Sequence, residues 1–145
     1  MLPSEPPCSR TTFRRPRILL VDDDPGVIRG LWRLLRKCRP DFQVNTASSA
    51  AQAIEALSEH SYDVVLTDLQ MPGGGGRAVL LALQALYPGT ARIVHSSQPE
   101  AAETSEVSEA AHVTLAKPAT EAALLEAIEQ SMCLVQSEGR PSQCG

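Results

Sequence analysis

Five short apolar runs, each cut off abruptly by polar or charged residues, constrain this chain more than any other feature. Ile18-Leu19-Leu20-Val21 stops at Asp22-Asp23-Asp24, and Val64-Val65-Leu66 stops at Thr67-Asp68. Ile93-Val94 runs into Ser96-Ser97, and Val113 to Ala116 runs into Lys117-Pro118. Phe42 to Thr46 is a weaker fifth run. Apolar runs of this length, without polar alternation, read as strands buried on both faces.

Between the runs, apolar residues return at helical spacing. Val27, Ile28, Leu31, Trp32, Leu34, Leu35 and Cys38 make one such face, and Pro40 ends that helix. Ala53, Ile54 and Leu57 make a second, behind a cap at Ser48 or Ser49. Val79, Leu80, Leu83 and Leu86 make a third. The segment from Glu100 to Ala110 is polar and Ala-rich, with Val107 as its one strong apolar anchor. Leu124, Leu125, Ile128 and Met132 predict the inward face of a last helix. Strands alternating with helices imply parallel pairing, because each crossover helix returns the chain in the same direction. The expectation is an α/β protein with a doubly wound open sheet, whose ligand site lies beyond the carboxyl ends of the strands.

The 145 residues leave room for one domain, expected at 16–134. A proline-rich arm at 1–15 is expected to be disordered, and a polar tail at 135–145 to be flexible. With only 3% aromatic residues, the core must come from Leu, Val, Ile and Ala. A net charge of -4 argues against a general binder of nucleic acid or anionic membrane, and Arg10, Arg14, Arg15 and Arg17 read as a solvated arm. Cys8, Cys38, Cys133 and Cys144 form no close metal-ligand pair. Met1 to Pro16 lacks the apolar run of a signal peptide, and no stretch approaches a membrane span. These features predict a cytoplasmic protein with free thiols.

The strand ends carry the chemistry. Asp22, Asp23, Asp68, Ser96 and Lys117 should converge there, and carboxylates brought together in this way repel unless a cation neutralises them. Mg²⁺ suits the arrangement, since it takes a few oxygen ligands, keeps several waters and accepts phosphate oxygens. A phosphoryl group on Asp68 brings negative charge that Mg²⁺, Lys117 and the Ser96 hydroxyl would stabilise. Asp68 as nucleophile would form an acyl phosphate. Asp24, before Pro25, reads instead as a helix cap with proline at the first helical position.

Ile18 to Asp24, Tyr62-Asp63-Val64-Val65-Leu66-Thr67-Asp68-Leu69-Gln70-Met71-Pro72, Arg92 to Ser96 and Leu115-Ala116-Lys117-Pro118 resemble bacterial response-regulator receiver domains. The resemblance covers about 16–134 and implies a flavodoxin-like (βα)5 fold with strand order 2-1-3-4-5. It implies a phosphoprotein of two-component signal transduction, not an enzyme, with 4-aspartylphosphate at Asp68. The donor would be a histidine kinase or a histidine phosphotransfer protein. By the same resemblance Asp23 binds Mg²⁺ directly and Asp22 helps to hold it. The Gln70 backbone carbonyl adds a ligand, Ser96 and Lys117 meet the phosphoryl group, and Pro118 follows a cis bond. The phosphorylated form would be read by an output or effector protein, with no direct nucleic-acid or membrane partner and a possible homodimer. Arg92–Ser97 and Ala116–Pro118 resemble receivers fused to HD-type output modules.

Two positions depart from the family. The switch position three before the lysine is Thr114, where many receivers carry an aromatic ring. Gly73-Gly74-Gly75-Gly76 replaces one or two glycines and an acid, and reads as loop slack. Glu103, Glu106 and Glu109 make the fourth helix acidic, a poor face for pairing. Two rivals stand beside the leading reading. One is a receiver fold that serves as an unphosphorylated scaffold. The other is a haloacid-dehalogenase-like phosphatase with Asp22 as nucleophile, suggested by the Asp-x-Asp at Asp22 and Asp24. It expects Thr or Val where Gly26 stands.

Overall fold

The computed structural model describes residues 15–98 and 105–138. Five strands, β1 (Arg17–Val21), β2 (Gln43–Ala47), β3 (Val64–Asp68), β4 (Ala91–Ser96) and β5 (Val113–Ala116), form one sheet in the order β2-β1-β3-β4-β5. Every pairing is parallel. The helices are α1 (Pro25–Cys38), α2 (Ala50–Glu59), α3 (Gly75–Leu86), α4 (Ser105–Ala110) and α5 (Glu121–Glu138), with a 3₁₀ turn at Pro72–Gly74 before α3. This is the doubly wound, flavodoxin-like arrangement with order 2-1-3-4-5.

Successive strand residues point to opposite faces, and the core divides accordingly. Ile18, Leu20, Val64, Leu66 and Ile93 face a cluster with Leu31 and Leu35 of α1 and Leu124 and Ile128 of α5. Leu19, Val21 and Val65 face Ala53 and Leu57 of α2 and Val79 and Leu83 of α3. Both faces of β1 and β3 are therefore covered, which is why their runs carry no polar alternation. Each fully buried Leu or Ile contributes about 1.5–3 kcal/mol through removal from water.

Local chemistry fixes where the helices start. The Asp24 carboxylate accepts from the Gly26 amide, with Pro25 in the first turn, so α1 begins directly after the acidic strand end. Arg36 and Lys37 lie in its last turn, complementing the helix dipole. Ser49, of the two candidate serines, caps α2 by accepting from the Gln52 amide.

Three apolar residues expected inside lie outside. Trp32 is 41%, Ile54 43% and Leu86 67% exposed. Trp32 and Ile54 follow buried Leu31 and Ala53 by one residue, a turn of about 100°, which carries them to the flank. The Arg36 guanidinium lies 5.4 Å from the Trp32 ring centroid and covers part of it. Leu86 is the last residue of α3, beyond the cover of the sheet.

The expectation of free thiols holds for Cys38 and fails for Cys133, which is disulfide-bonded. The expected arm, apart from Arg15, and residues 139–145 lie outside the described residues, as does the start of the expected fourth helix. Within α4, Val107 and Ala110 are buried against Leu80 and Val94. Glu106 there forms an ion pair with Arg77 of α3, and Glu103 lies outside the described residues.

The glycine run is not slack. Gly73 has φ +69°, a conformation that side chains disfavour. At Gly76, a Cβ would collide with the Asp68 carbonyl oxygen and stand 2.6 Å from the Leu69 Cα. The first turn of α3 therefore lies directly on the backbone that carries Asp68. Only glycine allows that approach.

Candidate functional site

The carboxyl ends of β1, β3, β4 and β5 deliver their polar residues to one place. Carboxylate oxygens of Asp22, Asp23 and Asp68 all lie within 4.8 Å of one another. Asp22 and Asp68 are buried and Asp23 is exposed, so the cluster has a closed floor and an open rim. Lys117 closes it from the β5 side. Its Nζ donates to Asp22 Oδ2 at 2.9 Å and lies 3.5 Å from Asp68 Oδ2.

The remaining oxygens of the buried acids are held by backbone. Asp22 Oδ1 accepts from the Asp24 amide at 2.9 Å, and Asp68 Oδ1 accepts from the Gln70 amide at 3.1 Å. Asp22 thus has both oxygens engaged, one by lysine and one by the turn into α1. Burial opposes the charge on Lys117, but its hydrogen bond to Asp22 and the charges of Asp22 and Asp68 outweigh that penalty. The ammonium pKa is raised above its ordinary value.

Ser96 ends β4 fully buried, with its hydroxyl accepting from the Gln98 amide at 3.0 Å and donating to Gln70 Oε1 at 3.4 Å. Gln70 Nε2 donates in turn to Gln98 Oε1 at 3.1 Å. These two glutamine side chains bridge the loops after β3 and β4. The Lys117–Pro118 peptide is cis. Thr114 is exposed on β5, away from the carboxylates. On the other side, a cavity of about 380 Å³ opens at Asp22 and Asp23, bounded by Arg29, Thr46 and Gln52.

Sequence reasoning missed Gly76, Gln98 and His95. Gly76 was hidden among four consecutive glycines. His95 sits on β4 opposite Asp68 in the register, 2% exposed, and among the described residues neither ring nitrogen has a hydrogen-bond partner. Burial, and then the Lys117 charge, lower its pKa from 6.5 to about 4 against the opposing pull of Asp22 and Asp68. The ring is neutral near pH 7.

A buried carboxylate pair, an exposed third acid and a bridging lysine, at the switch point of an open parallel sheet, define a doubly wound α/β protein. Its polar site is suited to handling a phosphoryl group. Comparison with known proteins narrows that class. The family model for the response regulator receiver domain matches residues 18–129. The transcriptional regulatory protein GlrR of Escherichia coli is 32% identical over 118 residues, covering 79% of this chain and 26% of GlrR. The sensory/regulatory protein RpfC of Xanthomonas campestris is 34% identical over 125 residues, covering 82% and 17% respectively. The chain thus spans about a quarter or less of these two relatives.

Solved structures agree. The receiver domain protein of Clostridium thermocellum superposes with a TM-score of 0.74 at 28% identity, covering 83% of this chain and 97% of that one. The signal receiver domain of an HD domain-containing protein of Pseudomonas fluorescens gives 0.76 at 29%, covering 88% and 94%. The chain belongs to the response regulator receiver domain family of two-component systems. Domains of this family are signalling modules, so the phosphatase reading falls away.

Proposed function

We propose that Asp68 is the phosphoacceptor of this receiver and that Asp22, Asp23 and Asp68, with the Gln70 backbone carbonyl, hold Mg²⁺ beside it. The observation that carries the reading is the convergence of three carboxylates within 4.8 Å, with the Lys117 ammonium against two of them. An all-oxygen donor set with an open rim fits a hard divalent cation that keeps some of its waters. When bound, Mg²⁺ supplies positive charge to the cluster and to the incoming phosphoryl oxygens.

The chain's own residues supply the rest. A carboxylate oxygen of Asp68 attacks the phosphorus of a phosphohistidine on a histidine kinase or phosphotransfer protein. The new O–P bond forms as the P–N bond breaks, and the electron pair returns to the imidazole of the donor. Lys117 is placed to leave Asp68 Oδ2 for the phosphoryl group, while Asp22 keeps it nearby. The Ser96 hydroxyl is free to exchange its long bond to Gln70 for a phosphoryl oxygen.

Phosphorylation-dependent binding of an output or effector protein completes the proposal. Thr114 carries no ring, so the signal reaches that partner by another route than a rotating aromatic. The cytoplasmic assignment belongs to the same proposal; among the described residues no helix is long and apolar enough to cross a membrane. Incubation with acetyl phosphate and Mg²⁺ should raise the intact mass by one phosphoryl group in wild type and leave Asp68→Asn unchanged. No gain in wild type would favour the unphosphorylated scaffold.

A further inference from the structure

A small ring of hydrogen bonds joins the loops that leave β3 and β4. The Ser96 hydroxyl donates to Gln70 Oε1 at 3.4 Å and accepts from the Gln98 amide at 3.0 Å. Gln70 Nε2 closes the ring by donating to Gln98 Oε1 at 3.1 Å. The backbone amide of Gln70 also donates to Asp68 Oδ1 at 3.1 Å. Gln70 thus touches both Asp68 and the hydroxyl that would meet a phosphoryl group.

We propose that the side chains of Gln70 and Gln98 form a latch. Closed before phosphorylation, it withholds the Ser96 hydroxyl from the acidic pocket; phosphorylation of Asp68 opens it and releases Gln98 from the loop after β3. The inference rests on the reading of Asp68 as the phosphoacceptor and names the regulation of that same site.

A hydroxyl has one proton, so Ser96 cannot donate to Gln70 and to a phosphoryl oxygen at once. Ser96 is fully buried, whereas both glutamines are exposed. A glutamine that loses its partner therefore turns to water at little cost. The bond from Ser96 to Gln70 is the longest of the ring, and a hydrogen bond to a charged oxygen is roughly twice as strong as a neutral one. The phosphoryl group wins that competition. Once Ser96 has let go, a single neutral bond between Gln70 and Gln98 must fix two long side chains against their rotamer entropy. It does not hold.

The latch restrains the way to the sheet edge. Gln98 lies between β4 and α4, and α4 is tied to α3 by the Arg77–Glu106 ion pair and anchored by only Val107 and Ala110. With Thr114 in place of a ring, unlatching supplies a route from Asp68 toward α4 that needs no aromatic.

The test is the calorimetric affinity of the full chain for beryllofluoride, a phosphoryl analogue, in the presence of Mg²⁺. A closed latch opposes binding by as much as it favours the free form, so its removal should tighten binding. Gln98→Leu keeps the bulk of the side chain without its amide. It should bind about threefold more tightly than wild type, the worth of one exposed neutral hydrogen bond. In a Ser96→Ala background the same substitution should change nothing, because no hydroxyl is left to withhold. Equal or weaker binding by Gln98→Leu would overturn the latch, and so would a gain that survives in Ser96→Ala. Failure of beryllofluoride to bind wild type, or undiminished binding by Asp68→Asn, would instead overturn the Asp68 assignment and the latch with it.

Discussion

The centre of the sheet and its β5 edge are built differently. Every residue of β3 and of β4 is buried, and both faces are covered by helices. At the edge, β5 buries Leu115 and leaves Thr114 and Ala116 exposed, and α4 is anchored by Val107 and Ala110. The centre ends in two buried acids that must be held together in the face of their own repulsion, and the edge sends in the lysine that bridges them. Apart from that lysine, the described part of the edge is attached by few buried apolar residues. Stiffness is thus concentrated where charge has to be confined, and the loosely held edge is the part a partner can most readily reshape.

The largest expected effect lies where α3 meets the β3 backbone. Gly76→Val must push α3 off the Asp68 carbonyl, and a loss of at least about 4 kcal/mol in urea unfolding is expected. A near-neutral result would mean that the approach of α3 to β3 is not fixed.

A pair of truncations tests the comparison itself. Leu66→Ala at the centre should lose about 3 kcal/mol and Val107→Ala at the edge about 1 kcal/mol, because the edge site can collapse around the smaller side chain. Equal losses would remove the distinction between the two regions.

The next effect is a pH dependence seated at the centre. His95 is lowered to about 4 from 6.5. Between those values the unfolded chain binds a proton that the folded chain does not, so stability rises with pH through this window. It is complete above about pH 6.5 and is lost toward pH 4, by roughly 3 kcal/mol in all. Urea midpoints at pH 7 and pH 5 should converge in His95→Leu. An unchanged difference would assign the dependence to other groups.

What the sequence disclosed follows the same division. The runs at Ile18–Val21 and Val64–Leu66 were legible because strands covered on both faces tolerate no polar alternation. The polar residues ending those runs were legible because a doubly wound sheet gathers its strand ends. The Asp24-Pro25 cap needs only its neighbours. Trp32, Ile54 and Leu86 were misplaced because helical spacing marks a stripe without fixing its edges. Gly76 owes its requirement to a backbone eight residues earlier, and spacing alone cannot single it out of four glycines. The grip of Lys117 on Asp22 joins residues 95 positions apart, and only the folded sheet reveals it. His95 was visible only as part of the stretch Arg92 to Ser96, and nothing in the spacing marks its ring as buried.

The central claim is that Asp68, and not the neighbouring acids, receives the phosphoryl group. After reaction with acetyl phosphate and Mg²⁺, borohydride reduction converts an acyl phosphate to an alcohol, which peptide mass spectrometry locates. The account predicts homoserine at position 68 alone. Homoserine at position 22 or 23, with Asp68 intact, would contradict it.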